Sequence, residues 1–360
     1  MAIVLVVLVL CVAFANGAND VSKGIATLAG AGVGSYRRAL AWGAAWTFIG
    51  ALAAALVARG FVPVFSGRGI LVTAPPGLTF PVSVAAGVIG WLFVATRTGL
   101  PVSTTHALVG GLVGTGVAAA GPGGVRWIAV VRAVGLPLAL SPLLALGLVF
   151  VVLPVVRFLF RRLNGYCVCV EHRALVLAPT TSGPNLEVMG RLEVLVGTDC
   201  PPRVVGRLDA PDALHWLSAA LTTFTRAMND APKILALGIA AQTAVDLAPG
   251  AMIALVALAM TAGSGIAGSR VTQTLAEKVT RISPSHGLAA NLVTSTLVGL
   301  ASTLAMPVST THVSTGAIIG IGINGRNVHW KLVRGLLVAW LVTLPIAAAL
   351  AALAYGVLER

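Results

Sequence analysis

Charged positions are scarce along this chain, and their placement divides it. Stretches free of Asp, Glu, Lys and Arg cover residues 1–19, 39–58, 69–96, 98–125, 133–156, 247–269, 282–325 and 335–358. Roughly 20 apolar residues cross a bilayer as a helix, so each stretch predicts a crossing. The 44-residue stretch from 282 predicts two. No period-two alternation runs through them, which removes an outer-membrane barrel, whereas Ala, Leu, Val and Gly dominate as in close-packed helical bundles. The expected fold is an all-α integral membrane protein of about 10–12 transmembrane helices. Met1 to Asn16 lacks the basic start of a signal peptide and is expected to be a retained first helix.

The chain also repeats itself. Asn19-Asp20-Val21-Ser22-Lys23 is answered by Asn229-Asp230-Ala231-Pro232-Lys233, and Pro101-Val102-Ser103-Thr104-Thr105-His106 recurs identically as Pro307 to His312. Two unrelated motifs in the same order at nearly the same offset, 210 and 206, mark two copies of one unit. The expected domains are a first membrane repeat over 1–156, a polar cytoplasmic connecting segment over 157–212 and a second membrane repeat over 213–360. The connecting segment holds seven arginines and six acidic residues, with strand-like alternation at Tyr166 to Val170 and Leu192 to Val196.

Composition sharpens this picture at two points. At 57% hydrophobic and 10% charged, the chain falls outside soluble globular proteins. The net charge of +13 would suggest nucleic-acid binding in a soluble chain, but here the basic residues sit in short connections and report topology, so no nucleic-acid partner is expected. With the amino terminus outside and five crossings per copy, twelve basic residues, from Arg37 and Arg38 to Arg334, fall in inner loops. Five, among them Arg59 and Arg126, fall in outer ones. That balance predicts both termini outside and the central loop in the cytoplasm. An odd number of crossings per copy inverts the second copy, the arrangement of alternating-access transporters.

The chemistry concentrates in the repeated motifs. Asp20 is the one acidic residue before Glu171 and stands beside an uncharged run, as Asp230 does. Carboxylates at membrane depth face a partner or a pathway. A structural pairing with Lys23 and Lys233, three residues on, is the plainer reading. Asn16, Gly17, Asn19 and Pro232 predict broken helices at these points, and broken helices bind ions. Pro followed by Ser, Thr and Thr suits a helix start that seats an anion, against the plainer alternative of capping and interhelical hydrogen bonds. His106 and His312 stand as possible relays or donors, or as neutral histidines bonded to backbone. Cys167, Cys169, His172 and Cys200 lack standard zinc spacing, and no metal or other cofactor is expected. No ATP-hydrolysing motif is present, so active transport would be secondary.

Gly17-Ala18-Asn19-Asp20-Val21 and the twin Pro-Val-Ser-Thr-Thr-His motifs resemble the inorganic phosphate transporter family across both membrane halves. The resemblance implies an inverted-repeat bundle with broken or re-entrant helices, a homodimer in the plasma membrane that moves phosphate with sodium or protons. It implies that Asn19, Asp20, Asn229 and Asp230 lie near the coupling cation or proton. By the same match, Ser103, Thr104, Thr105, Ser309, Thr310 and Thr311 lie near phosphate. The family's usual Asn three residues after the Asp is here Lys23 in one copy and Lys233 in the other. An ammonium beside a carboxylate can stand for a bound cation or hold the anion itself, which favours protons over sodium. Sulfate, another tetrahedral oxyanion, stays open as substrate. An intramembrane enzyme built on Ser103 or Ser309 is disfavoured because nucleophilic chemistry needs one asymmetric site, and a passive anion channel because it has no use for buried Asp–Lys pairs.

Overall fold

A computed structural model describes the chain apart from residues 164–165, 172–173, 181–182, 190–191 and 197–203. The first half comprises α1 (Ala2–Asp20), α2 (Ser22–Gly30), α3 (Tyr36–Ala53), α4 (Ala58–Phe65), α5 (Thr79–Thr98), α6 (Thr104–Ala120), α7 (Trp127–Val130) and α8 (Leu136–Leu163). The second comprises α9 (Ala210–Ala244), α10 (Pro249–Ala267), α11 (Ser269–Gln273), α12 (Pro284–Thr303), α13 (Thr310–Asn324) and α14 (Trp330–Leu358). Among the described residues, six helical stretches are long and apolar enough to cross a membrane: 2–30, 36–56, 79–98, 136–163, 249–267 and 330–358. The remaining long helices, α6, α9, α12 and α13, carry most of the buried polar groups.

Between the halves lie short antiparallel strands. β1 (Tyr166–Glu171) is flanked by β4 (Leu192–Val196) and β5 (Val204–Asp209), and β2 (Ala174–Thr180) pairs with β3 (Gly183–Met189). β1 and β4 fall where the alternation places them. The question of a metal at Cys167, Cys169, His172 and Cys200 rests on residues or side chains outside the described ones.

The chain is interrupted, but not where Asn16, Gly17, Asn19 and Pro232 predict. Val21 joins α1 to α2 in helical conformation (φ −56°, ψ −32°) and donates to the Gly17 carbonyl, so the two form one near-continuous rod. The asparagine amides do not compete for their own backbone. Asn19 instead bonds sideways, Nδ2 to the Leu100 carbonyl at 2.9 Å and Oδ1 from the Val102 amide at 3.3 Å. Pro232 sits inside the continuous α9, a position that membrane helices tolerate when packed on neighbours. The breaks fall one motif later. α5 ends at Gly99, which adopts φ +72°, and α6 starts at Ser103, whose Oγ accepts the His106 amide. α12 ends at Thr303, Ala305 adopts φ +53°, and Ser309 caps α13 through the His312 amide. Each Pro-Val-Ser-Thr-Thr-His motif is therefore the tip of a helical hairpin.

The packing obeys the repeat. Matching α1, α3, α5, α6 and α8 with α9, α10, α12, α13 and α14, every major contact has its twin: α1 on α10 with α9 on α3, α5 on α1 with α12 on α9, and α6 on α14 with α13 on α8. Small residues make these crossings close. A Cβ on Gly110 or Gly114 would stand 2.4 or 2.1 Å from the Leu344 or Ala348 carbonyl of α14. The equivalent Gly316 and Gly320 of α13 meet the Pro142 and Leu146 carbonyls of α8 at 2.4 and 3.0 Å. The result is an inverted-repeat bundle with its two hairpin tips at the pseudo-two-fold axis.

Candidate functional site

The two hairpin tips are stitched to each other. Thr105 Oγ1 donates to the Val308 carbonyl at 3.4 Å, and its equivalent Thr311 donates to the Val102 carbonyl at 2.8 Å. Beside this seam stand the Asn-Asp motifs of α1 and α9. Among the described residues, the fully charged side chains buried in the protein are Asp20, Lys23, Arg226, Asp230 and Lys233, each at most 2% exposed. All five belong to this one centre, since burying a charge without a partner is strongly unfavourable.

Asp20 pairs with Lys23, and Asp230 with Lys233 at 3.2 Å. Each pair reaches across the axis. Lys23 Nζ donates to Thr310 Oγ1 at 3.4 Å, and Lys233 Nζ to Thr105 Oγ1 at 2.8 Å. Lys233 Nζ also meets Asn229 Oδ1 at 2.5 Å and the Val308 carbonyl at 3.0 Å. Carboxylate, amide, hydroxyl and carbonyl oxygens thus surround one ammonium. The second carboxylate oxygens are served by hydroxyls: Thr104 donates to Asp20 Oδ2 at 3.4 Å, and Thr310 to Asp230 Oδ2 at 3.3 Å. Asn229 Nδ2 turns outward to Ser302 Oγ at 2.9 Å.

Asn16 and Arg226 complete the centre; from sequence, Asn16 is only a predicted helix breaker and Arg226 has no role. Asn16 Nδ2 lies 2.9 Å from Asp20 Oδ2, 3.0 Å from Thr104 Oγ1 and 3.4 Å from Asp230 Oδ2. Arg226 donates to Asn16 Oδ1 at 3.2 Å and to Thr47 Oγ1 at 2.6 Å. A signal for Arg226 was present: it lies 210 residues after Asn16, the offset of the Asn-Asp motifs, and four before Asp230. Three cations against two carboxylates leave one positive charge in excess.

Of the expected site residues, Asn19, Asp20, Lys23, Thr104, Thr105, Asn229, Asp230, Lys233, Thr310 and Thr311 converge here. Ser103 and Ser309 spend their hydroxyls as helix caps at 3.2 Å. His106 and His312 sit behind the tips with ring centroids 4.6 Å apart, and His312 stacks on Trp340 at 3.9 Å. They border an apolar cavity of about 530 Å³ lined also by Val109, Leu138 and Leu344, and no hydrogen bond joins their rings to the Asp–Lys pairs among the described residues. Nor do three of His, Cys, Asp and Glu gather as a metal-binding group among the described residues.

Buried, paired charges at the axis of an inverted-repeat helical bundle define a multi-pass membrane transport protein. Residues 16–351 match the phosphate transporter family. The chain belongs to that family. A "Probable low-affinity inorganic phosphate transporter" of Bacillus subtilis (strain 168) is 26% identical over 99% of this chain and 97% of its own length. A protein of the same description from Rhizobium meliloti (strain 1021) is 28% identical over 95% and 92%. "Inorganic phosphate transporter 2-1, chloroplastic" of Arabidopsis thaliana is 29% identical over 93% of this chain and 68% of its length. The fold matches a solved structure titled "The sodium-dependent phosphate transporter" with a TM-score of 0.75 at 23% identity, covering 99% of this chain and 98% of that one.

Proposed function

We propose that this chain carries inorganic phosphate across the plasma membrane by alternating access, coupled to protons, with both termini outside and the connecting segment in the cytoplasm. The observation that carries the reading is the excess positive charge of the buried centre, which an oxyanion would neutralise. Thr104, Thr105, Thr310 and Thr311 offer hydroxyl donors once the anion displaces their present partners, and the lysines offer charge. Ser103 and Ser309, as caps, fix where the helix amides behind these threonines point. Asp20 and Asp230 favour phosphate over sulfate, because a carboxylate accepts the hydrogen of a P–OH group that sulfate lacks near neutral pH.

In this reading the ammonium of Lys233, ringed by oxygens of four kinds, takes the place of a coupling sodium beside Asn229 and Asp230, and Lys23 does the same beside Asp20. Coupling then falls to protons, with His106 and His312 as candidate relays. A homodimer, the assembly that the family resemblance implies, is checked by light scattering in detergent.

The test is labelled phosphate uptake into proteoliposomes under an imposed pH or sodium gradient, with sulfate as competitor. Expected are accumulation driven by protons, indifference to sodium and resistance to sulfate. Sodium-driven uptake in the wild-type protein that is unchanged by Lys23→Asn or Lys233→Asn would overturn the role given to the lysines. Uptake of sulfate without phosphate would replace the substrate. Uptake down a gradient with no concentrative phase would replace the carrier with a channel.

A further inference from the structure

The two halves share their packing but not the lining on either side of the centre. Asn291 of α12 reaches α2 and α9 at once: its Nδ2 lies 3.4 Å from the Gly24 carbonyl and 3.3 Å from Ser218 Oγ, and its Oδ1 accepts from Thr27 Oγ1 at 3.1 Å. Thr222 Oγ1 donates to the Asn291 carbonyl at 3.0 Å, and Ser218 Oγ to the His215 carbonyl at 2.8 Å. A polar column therefore runs from Gly24, next to Lys23, along α2 and α9 to His215. All five of its side chains are buried, at 3% exposure or less.

Interhelical hydrogen bonding alone does not account for it. His215 is fully buried, yet neither Nδ1 nor Nε2 has a hydrogen-bond partner, although Ser218, one turn away, spends its hydroxyl on backbone. Its ring lies against Gly287, where a Cβ would stand 2.4 Å from Cε1 and 3.1 Å from Thr27 Cβ. A buried imidazole with both nitrogens unspent is unfavourable in a static core. The other half shows what such a core looks like. The positions equivalent to His215, Ser218, Thr222, Asn291 and Thr27 are Leu5, Leu8, Val12, Ala85 and Leu237, which are apolar throughout.

We infer that Thr27, His215, Ser218, Thr222 and Asn291 line the route between the centre and the face where α2 ends, and form there a transient second seat for an oxyanion. The equivalent leucines, valine and alanine form a dry plug on the opposite side. The inference rests on the carrier reading above. Its ligand chemistry is that of neutral donors, amide, hydroxyl and imidazole N–H, which pass an anion on without trapping it as the charged centre would. The polar half opens by parting α12 from α2 and α9, whereas the plug must part and wet.

The test is thiol access during turnover, with the wild-type protein as the blank for its native cysteines. Ser218→Cys and Thr222→Cys are expected to react with a negatively charged methanethiosulfonate from one side only, and phosphate to slow the reaction. Leu8→Cys and Val12→Cys, reached only when the plug parts, are expected to react much more slowly and from the opposite side. His215→Leu should lower the maximal uptake rate about tenfold, the weight of roughly one hydrogen bond to the moving anion, at unchanged KM. His215→Gln, which restores a donor, should recover most of the rate. Equal labelling at 218 and 8, or a His215→Leu protein with wild-type rate, overturns the route. Phosphate binding to the purified wild-type protein is measured separately. If it fails while Ser218→Cys still reacts, the cargo is reassigned and the route is supported.

Discussion

Arg226 and Asn16 hold equivalent places in the two halves, yet one is a cation and the other neutral, so a nearly symmetric centre carries an odd charge. Had both been asparagine, the two Asp–Lys pairs would cancel. Arg226→Gln keeps a donor for Asn16 and Thr47 and removes the charge. Weakening of phosphate binding by about 2 kcal/mol, roughly thirtyfold in Kd, is expected, the size of one unit charge acting over about 8 Å at an effective dielectric of about 20. Calorimetry on the purified variant checks it, with an unchanged melting temperature excluding misfolding. At this scale the sequence was legible where a residue broke its surroundings. Asp20 and Lys23 stood out against apolar neighbours and in duplicate. Arg226 bounds an uncharged stretch at the repeat offset from Asn16, but that offset alone assigns no role, because the contact of the two side chains across the axis is spatial. The serines of the twin motifs show the converse: the pattern pointed to them, and the structure spends them on capping.

The hairpin is the element on which the expectation and the structure diverge most. Residues 98–125 form one uncharged run, but its one long helix covers only 104–120, because Gly99 turns left-handed after the end of α5 and Ser103 restarts the helix. Uncharged length cannot reveal a turn made without charge. The second hairpin makes the same turn with Ala305 at φ +53°, where a Cβ is strained by about 1 kcal/mol. Ala305→Gly should therefore raise stability by about that amount, provided the loop gains little freedom when unfolded. Thermal melting in detergent reads the change directly, and a lower melting temperature would count against the turn as described. The misplaced helix breaks have a related cause. Asparagine and proline favour interruption by propensity, and lateral hydrogen bonds to a neighbouring hairpin override it.

For the whole molecule, the duplication was the most legible feature, since two motifs at nearly one offset already fix which helices correspond. The pairing of contacts follows from that correspondence and from glycines that let α6 meet α14 as α13 meets α8. The polar column was not legible, because its members scatter over three helices and gain meaning only beside their apolar equivalents. Orientation is testable as a whole-molecule property. A membrane-impermeant thiol reagent should reach Cys167, Cys169 and Cys200 from the cytoplasmic face alone, and labelling on intact cells would turn the molecule over. Each hairpin tip spends a threonine hydroxyl on the carbonyl of the other, so without cargo the seam holds itself closed, and passage requires an anion able to replace those bonds. If the carrier reading holds, the idle protein is an electrical insulator, and a cell could crowd its membrane with copies without short-circuiting the membrane voltage.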